Sequence, residues 1–403
     1  FKLVYIHVFC KMQPKEIQQL RAGTKGAAQS VHFNNAGSSL PPDVVVETVM
    51  AYLREEAVYG GYETEAKYAG QLENVYKQIA KLINAHQDEI AIVENASIAW
   101  HLAFGGVDLK PGDEVITSEM EYVTNHIGFL NAGKNYGIKV MVVANDAWGN
   151  FDPRMLEKVI SGRTRLIAVT HVPSAAGNIL PVEEIGRIAR RHGVLYLVDA
   201  CQSAGQLPLD VEAIGCDMLS VTGRKYLRAP RGTGFLYVRK TVQDQLRTWL
   251  LDGHSVASVD EHGYRLLDNA RRFELYEKSR ALMLGLGAAV SYALDLGLER
   301  IRERVIYLAG VLRSRLSEVE GVTVHDRGER LSGIVTFSVS GMDAAAVKAA
   351  LAEKRINVSI GRAQSTLIYM NKHQLSTILR ASVHYYNTEE EIEVLRQELC
   401  RML

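Results

Sequence analysis

Short apolar runs alternate with amphipathic stretches along residues 71–240 of this chain. The runs are rich in β-branched residues and nearly continuous in apolarity, which is typical of parallel strands buried on both faces. They cover residues 114–117, 139–143, 166–170 and 194–198. Between them, segments 71–86, 153–161 and 182–191 carry apolar residues at helical spacing or fit as crossover helices. The alternation predicts an α/β fold, with a mostly parallel sheet covered by helices.

The pattern changes after about residue 263. Helix-like stretches and strand-like pieces now follow one another without the regular alternation. The predicted helices cover residues 270–296, 298–319 and 389–402, and the predicted strands cover residues 322–324 and 334–337. We therefore predict a large domain over residues 31–262 and a smaller α+β domain over residues 263–403. We expect residues 1–30 to pack on the smaller domain.

The composition is that of an ordinary folded chain. Apolar residues make up 47% and charged residues 23% of the 403 positions, a length that is usual for two domains. Lys plus Arg (46) equals Asp plus Glu (46), so the chain has no net field that would attract a polyanion. We expect neither nucleic acid nor a membrane surface as a partner.

Residues 1–10 are apolar but short, and they lack the cleavage pattern of a signal peptide, so we do not expect one. The cysteines Cys10, Cys201, Cys216 and Cys400 show neither metal-ligand spacing nor a disulfide framework, which favours a reducing cytoplasm. The twelve histidines form no ligand pattern either, and no metal is expected.

Two candidate residues follow apolar runs, where a parallel sheet places its ligand groups. Asp199 comes directly after the run 194–198, and a carboxylate there pairs well with a protonated pyridine nitrogen. The alternative roles of such an Asp are a helix cap or a metal ligand. Lys225 follows the next run, and burial beside Arg224 would lower the pKa of its amine enough to make it a nucleophile. The alternative is a solvated surface lysine.

Two further segments favour the binding of anions. Residues 94–97 join a strand end to a helix start, where the N–H groups of Ala96 and Ser97 and the Ser97 hydroxyl form an anion site. A plain helix cap is the alternative there. Arg380 presents a bidentate fork that suits the carboxylate of an amino acid, or it bridges the two domains.

The segment TGRKYLRAPRGTGFLYV at residues 222–238 resembles the lysine segment and glycine-rich turn of class V, fold-type I aminotransferases. This superfamily, which depends on pyridoxal 5'-phosphate (PLP), includes cysteine desulfurases, carbon–sulfur lyases, isopenicillin-N epimerase-like proteins and transaminases. The resemblance extends from about residue 32 to residue 395. It implies a mostly parallel, seven-stranded sheet in the large domain, PLP as the cofactor, and a homodimer whose active sites lie at the subunit interface.

The resemblance assigns roles to single positions. Lys225 matches the lysine that holds PLP as a Schiff base, and Asp199 matches the partner of the pyridine nitrogen. Tyr122 falls where many relatives stack a His on the ring, and a Tyr supplies the stacking surface without an acid–base imidazole. The other matched positions are Gln202 at the ring hydroxyl, Ala96, Ser97, Thr222 and Arg224 at the phosphate, Arg380, Ser174 and Asn35 on the substrate side, and Tyr276 reaching the partner's phosphate.

One departure bears on the reaction. Desulfurases carry a nucleophilic Cys on a loop before the carboxylate-binding arginine, and residues 358–367 contain no Cys. Segments 34–41 and 271–274 look most like the branch with epimerase-like proteins and carbon–sulfur lyases. The resemblance therefore implies a carbon–sulfur lyase acting on a cysteine derivative. The alternatives are an aminotransferase or epimerase on the same scaffold and, more distantly, a binding protein without turnover.

Overall fold

The structure of the protein is a computed structural model that describes residues 12–403, so Cys10 and the apolar opening lie outside the described residues. The α-helices are α1 (Pro14–Ala22), α2 (Asp43–Tyr59), α3 (Gly61–Ile83), α4 (Ala96–Gly106), α5 (Val123–Tyr136), α6 (Pro153–Val159), α7 (Val182–His192), α8 (Val211–Ile214), α9 (Arg280–Leu296), α10 (Leu298–Ser317), α11 (Ala344–Glu353), α12 (Leu367–Lys372) and α13 (Glu389–Met402). Short 3₁₀ helices lie at Lys25–Ala28, Gln87–Glu89, Lys240–Gln245, Ala270–Phe273 and Ala363–Thr366.

The strands form one large sheet and several smaller ones. They are β1 (Val31–His32), β2 (Ile90–Val93), β3 (Glu114–Ser118), β4 (Lys139–Val143), β5 (Thr164–Thr170), β6 (Leu195–Asp199), β7 (Met218–Thr222), β8 (Gly234–Val238), β9 (Val256–Asp260), β10 (Gly263–Leu266), β11 (Val322–Val324), β12 (Ile334–Val339), β13 (Ile356–Asn357), β14 (Ser359–Arg362) and β15 (Thr377–Ser382).

The large sheet has the order β2-β8-β7-β6-β5-β3-β4. Within it β8 runs antiparallel to both neighbours, and the other adjacent pairs are parallel. The central strands β6 and β7 are buried nearly throughout, whereas the edge strand β4 is largely open. Burial on both faces explains the continuous apolar runs, and the predicted mostly parallel α/β sheet is confirmed.

Most predicted helices and strands agree with the structure to within a few residues, but residues 270–296 do not form the single helix predicted for them. The chain leaves the 3₁₀ helix at Phe273, and α9 begins at Arg280 with Ser279 as its cap. The cause is Glu274, whose fully buried carboxylate accepts hydrogen bonds from Ile92 N (2.7 Å) and Tyr76 Oη (2.9 Å). These bonds pull residue 274 out of helical geometry.

The C-terminal part contains the antiparallel sheet β11-β12-β15-β14, against which α10 and α11 pack, with α13 beside α10. The first described residues join it, since β1 pairs in parallel with β13 and Arg21 donates to Tyr386 O (2.9 Å). The helix α9, which lies after the predicted boundary at residue 263, packs instead on α2 and α3. The division at residues 262 and 263 therefore stays a prediction, and packing continues across it.

Within residues 12–403 there is no single helix that is both long and apolar enough to cross a membrane.

Candidate functional site

A cavity of about 570 Å³ opens at the carboxyl ends of β6 and β7, against the start of α4. Many of the residues predicted from the sequence line it together. They are Ala96, Ser97, Tyr122, Asp199, Thr222, Arg224 and Lys225. They converge because parallel strands deliver the residues that follow them to the same edge of the sheet.

Asp199 lines this cavity and is held in place by hydrogen bonds. Its side chain is buried, and Oδ1 accepts a hydrogen bond from Cys201 N (2.9 Å) while Oδ2 accepts one from Asn125 Nδ2 (3.0 Å). The neighbouring strands β5 and β7 pair with β6 on either side. The carboxylate is therefore fixed in orientation at the wall of the cavity.

Lys225 lies on the connection between β7 and β8 and is 8% exposed. Burial lowers the pKa of its amine, and the nearby cations Arg224 and Arg380 lower it further, while Cys201 and Asp199 act in the opposite direction. The Nζ atom lies 5.8 Å from the centroid of the Tyr122 ring. A lysine with a depressed pKa is a better nucleophile and proton acceptor near neutral pH than a solvated one.

The start of α4 forms the anion-binding end of the cavity. Asn95 Oδ1 accepts a hydrogen bond from Ile98 N (3.0 Å) and so caps the helix, which was the alternative prediction for this segment. The first N–H groups of a helix have no partner within it and are available to an anion. A Cβ at Gly234 would lie 2.5 Å from Val221 O and 3.1 Å from Asn95 C. Only glycine therefore lets β8 run this close to the helix start.

Positive charge surrounds the same end. The pKa of the Arg224 guanidinium is lowered by burial and then by the neighbouring Arg231, which also lines the cavity. Arg224 donates to Gly37 O, which anchors it at the wall. Two guanidinium groups this close favour an anion between them, and together with the α4 N–H groups and the Thr222 hydroxyl they suit a phosphate.

Gln202 and Ser174 lie near the cavity without lining it. Gln202 donates through Nε2 to Ala36 O (3.0 Å), and its Oε1 atom is buried with no hydrogen-bond partner among the described residues. The Ser174 hydroxyl is also buried and has no hydrogen-bond partner among the described residues. Unpartnered buried polar atoms are costly, so they favour a ligand that completes the site.

Arg380 lies on β15 and does not itself line the cavity. Its Nε donates to Ser359 Oγ (2.9 Å) and its Nη1 to Ser174 O (2.8 Å). Burial lowers the pKa of the guanidinium, and Arg224 lowers it further. The positive charge of Arg380 also lowers the pKa of Lys225, so the two groups repel each other when both are charged. An anionic group bound near them would relieve the repulsion, and the role of Arg380 at a substrate carboxylate stays a prediction.

Asn35 occupies a different setting from the one expected of a substrate contact. It is fully buried, and its Nδ2 donates to Ser382 O (2.7 Å) and His32 O (3.1 Å). Its Oδ1 accepts from Tyr386 Oη (2.5 Å). The amide is thus occupied by protein groups, which favours a structural role joining the N-terminal segment to β15.

Tyr276 does not line the cavity of its own chain. Its side chain is 45% exposed, and its backbone N–H donates to Asp252 Oδ2 (2.6 Å). The predicted contact with a partner's phosphate stays a prediction.

The sequence analysis missed Glu121 and Asn125. Asn125 lines the cavity, and Glu121 lies behind it, fully enclosed; burial and then the charge of Asp199 raise the pKa of Glu121 to about 7, against hydrogen bonds that lower it. The available signal was a Glu just before the start of α5 and an Asn in its first turn, which are close enough in sequence to bond to each other. The sequence alone does not reveal the burial of Glu121.

Residues 363–372, here called the cap segment, follow β14 and lie against α5. Their first half overlaps residues 358–367, where the family resemblance predicts a cysteine-bearing loop, and they contain no Cys. Tyr369 N donates to Glu119 O (3.1 Å), and Lys372 Nζ pairs with Glu119 Oε2 (2.8 Å). The cap segment is therefore an ordered element attached to the end of β3.

The assembled donors fit PLP. Its phosphate suits the start of α4 with Thr222 and Arg224, and its ring nitrogen suits Asp199, while Lys225 is placed for its aldehyde. The buried Oε1 atom of Gln202, which has no partner among the described residues, is consistent with the predicted contact to the ring hydroxyl.

Comparison with known proteins agrees with this arrangement. The sequence pattern of the family described as aminotransferase class-V matches residues 31–395. A probable cysteine desulfurase of Methanothermobacter thermautotrophicus is 34% identical over 92% of this chain and 94% of its own length. The apo structure of a cysteine desulfurase from Thermococcus onnurineus superposes with a TM-score of 0.90 at 29% identity, covering 96% of this chain and 97% of the other. The fold is shared with the cystine C–S lyase C-DES, solved with cysteine persulfide, at a TM-score of 0.85 and 24% identity over 94% of this chain and 99% of that one.

Proposed function

We propose that this chain, which belongs to the aminotransferase class-V family, is a PLP enzyme that cleaves the carbon–sulfur bond of a cysteine derivative. The observation that carries the proposal is the meeting of Lys225, Asp199 and the start of α4 in one cavity. A binding protein would need the anion site and Arg380, but it would not need a buried lysine of lowered pKa. Turnover is therefore favoured over binding alone.

When bound, PLP withdraws electrons from the Cα atom of an attached amino acid. Asp199 holds the charge at the ring nitrogen that this withdrawal requires. Arg380 orients the substrate by its carboxylate, through the fork that now contacts Ser174 O. Lys225 Nζ takes the proton from Cα, a role that the lowered pKa of its buried amine favours.

The choice of a lyase over a desulfurase rests on the cap segment and on the remaining cysteines. Cys201 lines the cavity, but burial and then Asp199 raise the pKa of its thiol. A protonated thiol is a poor nucleophile, so Cys201 is a weak acceptor for sulfur. The relatives named as desulfurases support the substrate class, a sulfur-bearing amino acid, rather than the fate of its sulfur.

The test is incubation of the purified protein with cysteine and a panel of cysteine S-conjugates. We expect pyruvate together with a thiol or sulfide product, and no turnover by Lys225→Ala protein. Transfer of the amino group to an added keto acid, without pyruvate, would identify a transaminase instead of a lyase. Racemised substrate would identify an epimerase. Turnover by the Lys225→Ala protein would remove the central role of Lys225.

We further propose that the protein is a homodimer in a reducing compartment such as the cytoplasm. The apolar side chains Val46, Met50 and Leu53 form an exposed stripe along α2, which a second subunit would cover. In the described part of the chain, the cysteines are free thiols. Light scattering on the purified protein tests the dimer, and a fully active monomer would contradict it.

A further inference from the structure

Two buried carboxylates share one amide behind the cavity. Asn125 Nδ2 donates to Glu121 Oε1 (2.8 Å) and to Asp199 Oδ2 (3.0 Å). An amide NH₂ group carries two hydrogens, so it can serve both acceptors at once. Glu121 and Asp199 are 3% and 4% exposed, so both carboxylates are buried.

The rest of Glu121 is held by neighbours from several elements. Thr117 Oγ1 on β3 donates to Oε2 (2.9 Å), Thr170 Oγ1 on β5 donates to Oε1, and Tyr122 N donates to Oε1 (2.8 Å). Among the groups that face Glu121, these donors and Asn125 are neutral, and Asp199 of β6 carries the charge. The network therefore links the charge of Glu121 to that of Asp199 and to little else.

We infer that Glu121 is a positioning residue for the ring nitrogen of the cofactor, which fixes Asn125 and, through it, the Asp199 carboxylate. This inference rests on the proposed function. Glu121 acts through Asn125 and touches neither the cofactor nor the substrate. When ionised, it also places a second negative charge behind Asp199, in surroundings where charges are weakly screened.

Coupled titration gives this arrangement a distinctive signature. Burial and Asp199 raise the pKa of Glu121 to about 7, so its charge changes near neutral pH. A cation bound beside Asp199 offsets the repulsion between the carboxylates and favours ionised Glu121. By linkage, ionised Glu121 must strengthen the binding of a ligand that carries a protonated ring nitrogen.

The experiment measures the affinity of the full-length, cofactor-free chain for pyridoxamine 5'-phosphate between pH 5.5 and 8.5 (roughly the range that brackets the Glu121 pKa). This probe has the ring and phosphate of PLP but an amine in place of the aldehyde, so it forms no covalent bond with Lys225. Because the probe's own groups titrate equally in both cases, the readout is the ratio of its dissociation constants for the Glu121→Gln and unaltered proteins. We expect a ratio near one at the acidic end, where Glu121 is protonated, that rises to roughly tenfold at the basic end.

Matched variants separate positioning from general damage. Glu114→Gln changes another buried carboxylate at the opposite end of β3, where Glu114 pairs with Arg163 (2.9 Å), and we expect it to leave the affinity unaltered. Asn125→Ala removes the bridge itself and should weaken binding with a reduced pH dependence, which serves if Glu121→Gln does not fold.

Three outcomes overturn the inference in distinguishable ways. A ratio that stays constant across the pH range, or no loss of affinity at all, removes the role of Glu121 and leaves the proposed function standing. Equal pH-dependent loss in the Glu114→Gln protein would assign the effect to stability. Absence of any binding by the unaltered chain would remove the proposed function together with this inference.

Discussion

Lys372 Nζ lies 2.8 Å from Glu119 Oε2, and this ion pair fastens the cap segment to the end of β3. The Glu119 side chain is 2% exposed, whereas that of Lys372 is 43% exposed. The buried partner thus depends on a lysine that reaches in from the surface. Glu119 stands three positions before Tyr122, so the pair also connects the cap segment to the wall of the cavity.

Removing the cation from this pair should loosen the cap segment. In a Lys372→Met protein the alkyl chain remains, but the buried Glu119 carboxylate loses its counter-charge. We expect amide hydrogen exchange over residues 363–372 to rise by about tenfold, with little change in the central sheet. A matched Lys354→Met protein, altered at the C-cap of α11, should exchange like the unaltered one. Unchanged protection over the cap segment would show that the hydrogen bond from Tyr369 N to Glu119 O holds the segment in place without the ion pair.

Replacing Arg380 should impair substrate binding while sparing the cofactor. An Arg380→Lys protein retains a positive charge but loses the fork that now reaches Ser359 Oγ and Ser174 O. We expect kcat/KM for the amino-acid substrate to fall by roughly thirtyfold, about 2 kcal/mol, mainly through KM. The visible absorbance of bound PLP should stay as it is. An exposed arginine on the neighbouring strand, Arg362, offers the control Arg362→Lys, and equal losses in both proteins would contradict the role of Arg380.

The raised pKa of Glu121 predicts a pH dependence of stability in the cofactor-free protein. The folded-state pKa of about 7 lies above the ordinary value of 4.5, so the favourable contribution is complete below pH 4.5 and is lost as the pH rises through 7. The loss amounts to about 3 kcal/mol. His171 acts in the opposite direction at lower pH, because burial lowers its pKa to about 3.

Comparing two proteins isolates the contribution of Glu121. Urea unfolding of the Glu121→Gln and unaltered chains should show the variant gaining relative stability between pH 5 and pH 8 (roughly the window set by the two pKa values of Glu121). His171 is present in both proteins and cancels in the difference. A difference in unfolding free energy that does not change with pH would mean that Glu121 titrates at its ordinary pKa.

Arg228 combines a left-handed backbone with a buried side chain, and two variants separate these features. Its φ is 62°, and its guanidinium donates to Leu40 O (2.8 Å), Tyr385 Oη (2.6 Å) and Thr24 Oγ1 (2.7 Å). Arg228→Gly and Arg228→Ala both lose these bonds, and we expect each to lower the free energy of unfolding by about 3 kcal/mol or more. The alanine protein should be less stable than the glycine protein by a further ~1 kcal/mol, because only glycine adopts this φ without cost. Equal stabilities in urea would show that the backbone is not strained there.

The residues at strand ends were predictable because two simple rules apply to them. Parallel strands that are buried on both faces give continuous apolar runs, and the residues that follow them meet at one edge of the sheet. Asp199 and Lys225 satisfy both rules, and the cavity contains both. The start of α4 was predictable for a similar reason, since a strand end followed by a capping residue marks the beginning of a helix.

Other features depend on contacts between distant parts of the chain, which local patterns do not show. The break in the predicted helix 270–296 arises from Glu274 bonding to Ile92 N in another part of the sequence. Glu121 is buried because Thr117, Thr170 and Asp199 surround it, although its own segment reads as a polar turn. The amide of Asn35 donates to Ser382 O, far away in the sequence, and Asn35 does not line the cavity. No local pattern indicated this contact when the family resemblance suggested Asn35 for the substrate side.

The pairing of β1 with β13 has a consequence for how the chain acquires its structure during synthesis. Phe33 O accepts a hydrogen bond from Ser382, a residue 349 positions later. While a ribosome is still making the chain, β1 therefore has no strand partner until the segment around residues 356–382 has emerged. Contacts of such separation slow folding, because a long loop must close before they form. The large sheet, whose strands lie closer together in sequence, is expected to assemble first, and the N-terminal segment to dock last.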